Sequence, residues 1–197
     1  MTTITKAENC FLGCAYPLTR DDFFNSFDSK KDFVRIQLEP YKQYSKDWIW
    51  KNIYRDFTEK MTKELHLIEK EGVCVKRNLS LNQVNEIIGF SVFSLFTHHN
   101  KATGEIELFD GMHSKQKFKE SFPNLFSGIV DLTACNSDLI RNELKTKISN
   151  QVIAFKVKLG ILGLTLVYKH VVMNLKRNSL NYIDCYTQTI QDLFKKQ

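Results

Sequence analysis

Apolar positions along this chain fall into two rhythms. Short runs of strand length recur at FLGCAY (Phe11 to Tyr16, closed by Pro17), FSVFSLF (Phe90 to Phe96), GIVDLTA (Gly128 to Ala134) and QVIAFKV (Gln151 to Val157). Such continuous runs predict strands covered on both faces. DFVRIQLEP carries Phe33, Val34, Ile36 and Leu38 up to Pro40 and predicts a second strand in chain order. GEIELFDG, Gly104 to Gly111, alternates Ile106 and Leu108 with glutamates, so it predicts a short strand with one wetter face.

The other rhythm is helical. From Asp47 to about Lys70, Trp50, Ile53, Phe57, Met61, Leu65 and Ile68 step by threes and fours along one face, and Gly72 marks the stop. SLNQVNEIIG predicts a short helix with Ser80 as N-cap and Gln83 closing a capping box. Further helices are predicted near Thr19, from Ser114 to Ser121, and from Ser137 in SDLIRNELK. Two more close the chain, from about Leu162 to Arg177 and from Ser179 or Leu180 to Lys195. Strands alternating with helices imply one α/β domain over residues 1–197, with a mostly parallel sheet and helices on both faces.

Composition narrows the function classes. The 197 residues suffice for a single core, with 43% hydrophobic and 25% charged residues. The net charge of +6 is spread over dispersed lysines without interleaved aromatic and basic positions, so it reads as solvated surface and direct nucleic-acid contact is not expected. Five cysteines without metal-ligand spacing, and no signal-like leader, fit a reducing cytoplasm and imply no metal. The longest apolar run, Leu159 to Tyr168, is far shorter than the roughly 20 residues of a membrane span, so no membrane insertion is expected. No Gly-rich loop follows a predicted strand, which argues against a nucleotide-binding domain, and no cofactor is implied.

In a parallel α/β sheet, sites form beyond the carboxyl ends of the strands. Two stretches stand there with reactive side chains: THHN after the strand ending at Phe96, and ACNSDLI after GIVDLT. Cys135 sits where a strand gives way to a helix start, a setting whose free N–H groups favour a thiolate. A thiolate, an imidazole and backbone N–H donors are the parts of a cysteine protease. His66, beside the long helical stripe, and His170, within a closing helix, read as structural. His113 is expected to face solvent, Cys10 and Cys14 to pack in or beside a strand, and Cys74 and Cys185 have no histidine at a matching strand end.

FSLFTHHN, GEIELFDG and GIVDLTACNS, in that order and spacing, resemble the caspase-like CHAT family of clan CD cysteine peptidases. The opening strand FLGCAYP and the tail RNSLNYIDCYTQTIQDL are similar to that family as well. The resemblance implies a caspase-like three-layer sandwich and a Cys-His dyad, with Cys135 as nucleophile and His98 as general base and acid. It also implies oxyanion donors in the backbone N–H groups of Cys135 and His99. Where the family has glycine after its histidine this chain has His99, so a shift by one position makes His99 the base. Pocket walls are expected near Asp131 and around Lys156 and Lys158, whose charges favour an acidic side chain in the substrate.

The family implies a protein or peptide substrate and a regulated proteolytic switch in bacterial stress, cell death or anti-phage defence. A gasdermin-like or other defence protein is a substrate by that resemblance, and control falls either to a partner chain carrying a sensor module or to assembly of the chain itself. The alternative is a catalytically inactive caspase-like interaction module.

Overall fold

The computed structural model describes residues 5–28, 38–100, 102–133, 137–154, 160–178 and 180–194. Strands β1 (Cys10–Cys14), β2 (Cys74–Arg77), β3 (Val92–Phe96), β6 (Ile129–Thr133) and β7 (Val152–Ala154) form one parallel sheet in the order β2-β1-β3-β6-β7. β4 (Ile106–Leu108) and β5 (Gly111–His113) pair separately as an antiparallel hairpin. The helices are α1 (Arg20–Asp28), α2 (Lys46–Ile49), α3 (Arg55–Lys70), α4 (Lys115–Ser121), α5 (Asp138–Leu144), α6 (Ile161–Asn178) and α7 (Tyr182–Phe194). None of the described helices is long and apolar enough to cross a membrane.

Helices cover both faces of the sheet, giving a three-layer α/β sandwich. On one face Cys10, Leu12, Cys14, Val92 and Phe96 pack against Met61, Leu65 and Ile68 of α3, Val171 and Val172 of α6, and Tyr182 and Cys185 of α7. On the other, Phe93, Leu95, Val130 and Leu132 pack against a 3₁₀ helix (Leu81–Ile87), Phe118 of α4, and Ile140 and Leu144 of α5. Strand runs buried on both faces are what these two layers require.

The expected elements stand with four differences. DFVRIQLEP lies mostly outside the described residues, and its end from Glu39 to Tyr41 is 3₁₀ helix. β1 takes β2 as its outer partner instead; Cys74–Arg77 is an edge strand whose Lys76 and Arg77 hide its signal. β4 pairs with β5 and not with the large sheet. Finally, a π-helical turn at Trp50–Tyr54 joins α2 to α3, so the fully buried positions step by five from Ile49 to Tyr54 and leave Ile53 only partly covered.

Candidate active site

β1 leads outward to β2 on one side, whereas β3 leads outward through β6 to β7 on the other, so the topological switch lies between β1 and β3. Ligands of parallel sheets bind in the crevice outside the carboxyl ends at such a point. The first residues beyond β3 are Thr97, His98 and His99. The Tyr16 hydroxyl, just past β1, donates to the Thr97 carbonyl at 2.8 Å, and the Thr97 hydroxyl donates to the Glu107 carbonyl.

Residues 97–100 run antiparallel to 105–108. Glu107 N–H donates to the His98 carbonyl and Asn100 N–H to the Glu105 carbonyl, both at 2.9 Å, around a bridge of His99 with Ile106. The turn between them closes on Asn100, whose Oδ1 accepts from Ala102 N–H at 3.0 Å, and on Gly104, whose φ of +72° favours glycine. Because neighbouring residues of a strand turn their polar groups to opposite sides, the N–H and C=O of His99 face away from β4, toward the β6 side.

The same alternation separates the two imidazoles. His99 shares a face with Ile106 and is 1% exposed, with both ring nitrogens sealed from solvent. Burial lowers its pKa, opposed first by a backbone group of Gly104. Its imidazole is therefore kept neutral. His98 lies on the other face and is half-buried, with its Nε2 sealed from solvent.

The side chain at 99 needs no tight glycine turn. Asn78 is the one non-glycine among the described residues with a positive φ, so His99 keeps ordinary extended backbone and its ring enters the apolar layer.

β6 is the neighbour of β3 on this side, and its last rung pairs Phe96 with Thr133. Cys135 itself lies outside the described residues, as do Lys156 and Lys158. Ser137 is fully buried and donates its hydroxyl to the Leu132 carbonyl at 2.9 Å, tying the residue before α5 back to β6. That bond replaces the expected cap: the Ser137 backbone is already helical, and its side chain caps nothing in α5.

Asp131 is not a pocket wall. It stands in the middle of β6, 1% exposed, and accepts a 2.5 Å hydrogen bond from the Tyr182 hydroxyl of α7 inside the core. Its position midway along the strand, covered by a helix, removes it from the crevice. His113 is not directed to solvent either; its side chain is 15% exposed and its Nε2 lies 3.0 Å from Asp110 Oδ1.

Two clefts of about 730 and 830 Å³ lie away from the crevice, one along Leu81, Asp110 and Lys117, the other at the amino end of the sheet by Phe90 and Gly128. Neither includes His98 or a cysteine. Among the described residues no cluster of His, Cys, Asp or Glu is arranged to hold a metal.

The four described cysteines are all held as thiols. Burial pushes Cys10 and Cys14 each up to about 12, helped at Cys10 by Asp131 and opposed at Cys14 by the Tyr16 backbone and then Arg77. Burial also raises Cys74 and Cys185.

Sequence reasoning missed Glu107, read as part of a wetter face yet 4% exposed, and the hydroxyls of Tyr16 and Ser137. The one signal for Glu107 was its place between Ile106 and Leu108, both fully buried. No protein-family model matches the chain, and no curated protein is significantly similar to it.

Proposed function

We propose that this protein is a caspase-like cysteine endopeptidase of the CHAT type, with Cys135 as nucleophile and His98 as general base and acid. One observation carries the reading. Phe96 and Thr133 are Cα partners on adjacent parallel strands, and His98 and Cys135 each stand two residues further along their chains. Neighbouring strands lie about 4.8 Å apart, so the chain leaves β3 toward His98 and β6 toward Cys135 from one rung of the carboxyl edge.

In the proposed reaction His98 takes the proton of the Cys135 thiol, and the sulfur attacks the scissile carbonyl. The oxyanion faces the N–H groups of His99 and Cys135. The orientation of the His99 N–H toward the β6 side supports that role. Collapse of the intermediate breaks the C–N bond as His98 gives its proton to the leaving amine. Water, deprotonated by His98, then hydrolyses the thioester. The sealed, neutral state of His99 and the half-buried setting of His98 support His98 as the base.

The reading extends to a proteolytic switch acting on a protein substrate in bacterial stress, cell death or defence, controlled by a partner chain. Lys156 and Lys158 direct it to acidic side chains; a peptide library cleaved only after basic or apolar residues removes that preference.

The test is cleavage by wild type and Cys135→Ala, with labelling by a thiol-directed probe. Loss of both in Cys135→Ala, with Cys10→Ala and Cys74→Ala unaffected, is expected. Full cleavage by Cys135→Ala overturns the reading, and a folded wild type with neither cleavage nor labelling at Cys135 is the interaction module instead. His98→Ala is expected to lose on the order of 10²-fold or more, and more than His99→Ala; the reverse order moves the base to His99.

A further inference from the structure

The backbone pairing of β1 with β3 stops short of His98. Ala15 N–H donates to the Phe96 carbonyl at 2.9 Å, and two residues further on stands Pro17, which has no N–H to continue the ladder. A side chain takes over at that point. The Tyr16 hydroxyl donates at 2.8 Å to the next carbonyl along the chain, that of Thr97, and both residues are buried.

The Thr97 carbonyl belongs to the peptide plane that leads into His98. The plane that leads out of it carries the His98 carbonyl, which accepts from Glu107 N–H at 2.9 Å. Peptide groups are rigid, so the planes on either side of a Cα set its φ and ψ and with them the direction of its Cα–Cβ bond. The outgoing plane is held by the backbone of β4. The incoming one is held by a tyrosine hydroxyl from beyond another strand, while the Thr97 hydroxyl, bonded to the Glu107 carbonyl, keeps Thr97 itself against β4.

Tyr16 is seated from behind in its turn. Its ring meets Phe57 of α3 edge-on, with ring centres 6.0 Å apart, and the carbonyl of the adjoining Pro17 accepts from the Tyr54 hydroxyl at 3.2 Å. Tyr54 is the last residue of the π-helical turn at Trp50–Tyr54, a distortion of a kind that recurs at functional sites. We propose that Tyr16, backed by Tyr54, is a positioning residue for His98: its hydroxyl fixes the peptide plane ahead of His98 and so holds the imidazole in one direction at the carboxyl edge of the sheet. The proposal rests on the assignment of His98 as the base. Tyr16 acts through the Thr97 carbonyl, and the geometry it maintains is what proton transfer between oriented groups requires.

The experiment uses the full chain as wild type, Tyr16→Phe and Tyr54→Phe, with two readouts. Tyr16→Phe keeps the ring against Phe57 and removes only the donor. In ¹⁵N relaxation the order parameter of the His98 amide is expected to fall from a rigid value of about 0.85 toward roughly 0.6 in Tyr16→Phe and by less in Tyr54→Phe, with the amides of β3 unchanged. In peptide cleavage kcat is expected to drop about 10- to 100-fold in Tyr16→Phe with KM unchanged. A tyrosine with a merely structural role would lower the melting temperature and leave both readouts where they were.

An unmoved His98 order parameter in Tyr16→Phe overturns the proposal, as does unchanged kcat in an active enzyme. If Tyr16→Phe loses its folded amide dispersion, Tyr54→Phe decides alone: a fall at the Thr97 and His98 amides supports the proposal, and no fall there overturns it. A chain whose His98 amide responds to Tyr16→Phe but which shows no Cys135-dependent cleavage keeps Tyr16 as the anchor of His98 and overturns the peptidase reading, so the two failures are distinguishable.

Discussion

The two faces of the sheet are built from different materials. Beneath the 3₁₀ helix, α4 and α5, the core is hydrocarbon: Phe93 meets Phe122 edge-on at 5.6 Å, and Phe122 meets Phe118 at 5.2 Å. Beneath α3, α6 and α7 polar groups thread the core. Asp131 receives the Tyr182 hydroxyl at 2.5 Å, Ser94 lies 3.5 Å from that hydroxyl, and Glu107 enters near Tyr54. His99 turns to the first face and His98 to the second. A face that already accommodates buried carboxyl groups suits the charge that the proposed chemistry on His98 would create, whereas burial in the hydrocarbon face favours the neutral imidazole of His99.

The comparison is broken most severely at the apolar face. Phe93→Ala removes a fully buried ring from β3 and is expected to cost about 3–5 kcal/mol, measured as a lower midpoint in urea unfolding. On the polar face Tyr182→Phe leaves the Asp131 carboxylate without the hydroxyl it accepts from, an expected cost of about 1–3 kcal/mol. Part of that loss is recovered when Asp131→Asn is added, since the remaining group is then neutral; no recovery in the double-mutant cycle would mean the two residues are not coupled.

His99 gives a smaller, pH-dependent effect. Its pKa is lowered in the folded state from an ordinary value of 6.5, so below about 6.5 the unfolded chain binds more protons than the folded one. This contribution to stability is present above that pH and is lost as pH falls toward the folded value. Denaturant midpoints measured across that window are expected to fall more steeply for wild type than for His99→Phe; parallel curves would show that His99 titrates normally. The smallest effect belongs to the surface. Lys76→Ala breaks a 3.0 Å pair with Glu86 whose partners are 33% and 44% exposed, and calorimetry is expected to find a change below about 1 kcal/mol.

The hydrocarbon of both layers was legible in the sequence because continuous apolar runs state burial directly: β1, β3, β6 and the closing helices fall where those runs and periodicities stand. The Ser80 N-cap was legible for the same kind of reason, a local pattern with a local partner in Gln83. The polar face was not. Glu107 carries a charge, and a charge in an alternating strand reads as solvent until a hairpin and a neighbouring layer cover it. Asp131 has the position of a strand residue in any reading, and only the docking of α7 puts Tyr182 over it. β2 escaped notice because an edge strand of four residues ending in Lys76 and Arg77 has too little apolar content to mark it.

The sequence by itself determined the α/β class, the order of its buried strands, and the placement of THHN and ACNS after two of them, because those properties depend on local spacing and composition. Tertiary structure decided that the two strands are neighbours, with Phe96 opposite Thr133, and that His98 and His99 part to opposite faces. It also decided that Glu107 is drawn inside across from His98. Those outcomes belong to strand pairing between residues far apart in the chain, where hydrogen-bond register, which no single segment encodes, fixes which side chains share a face.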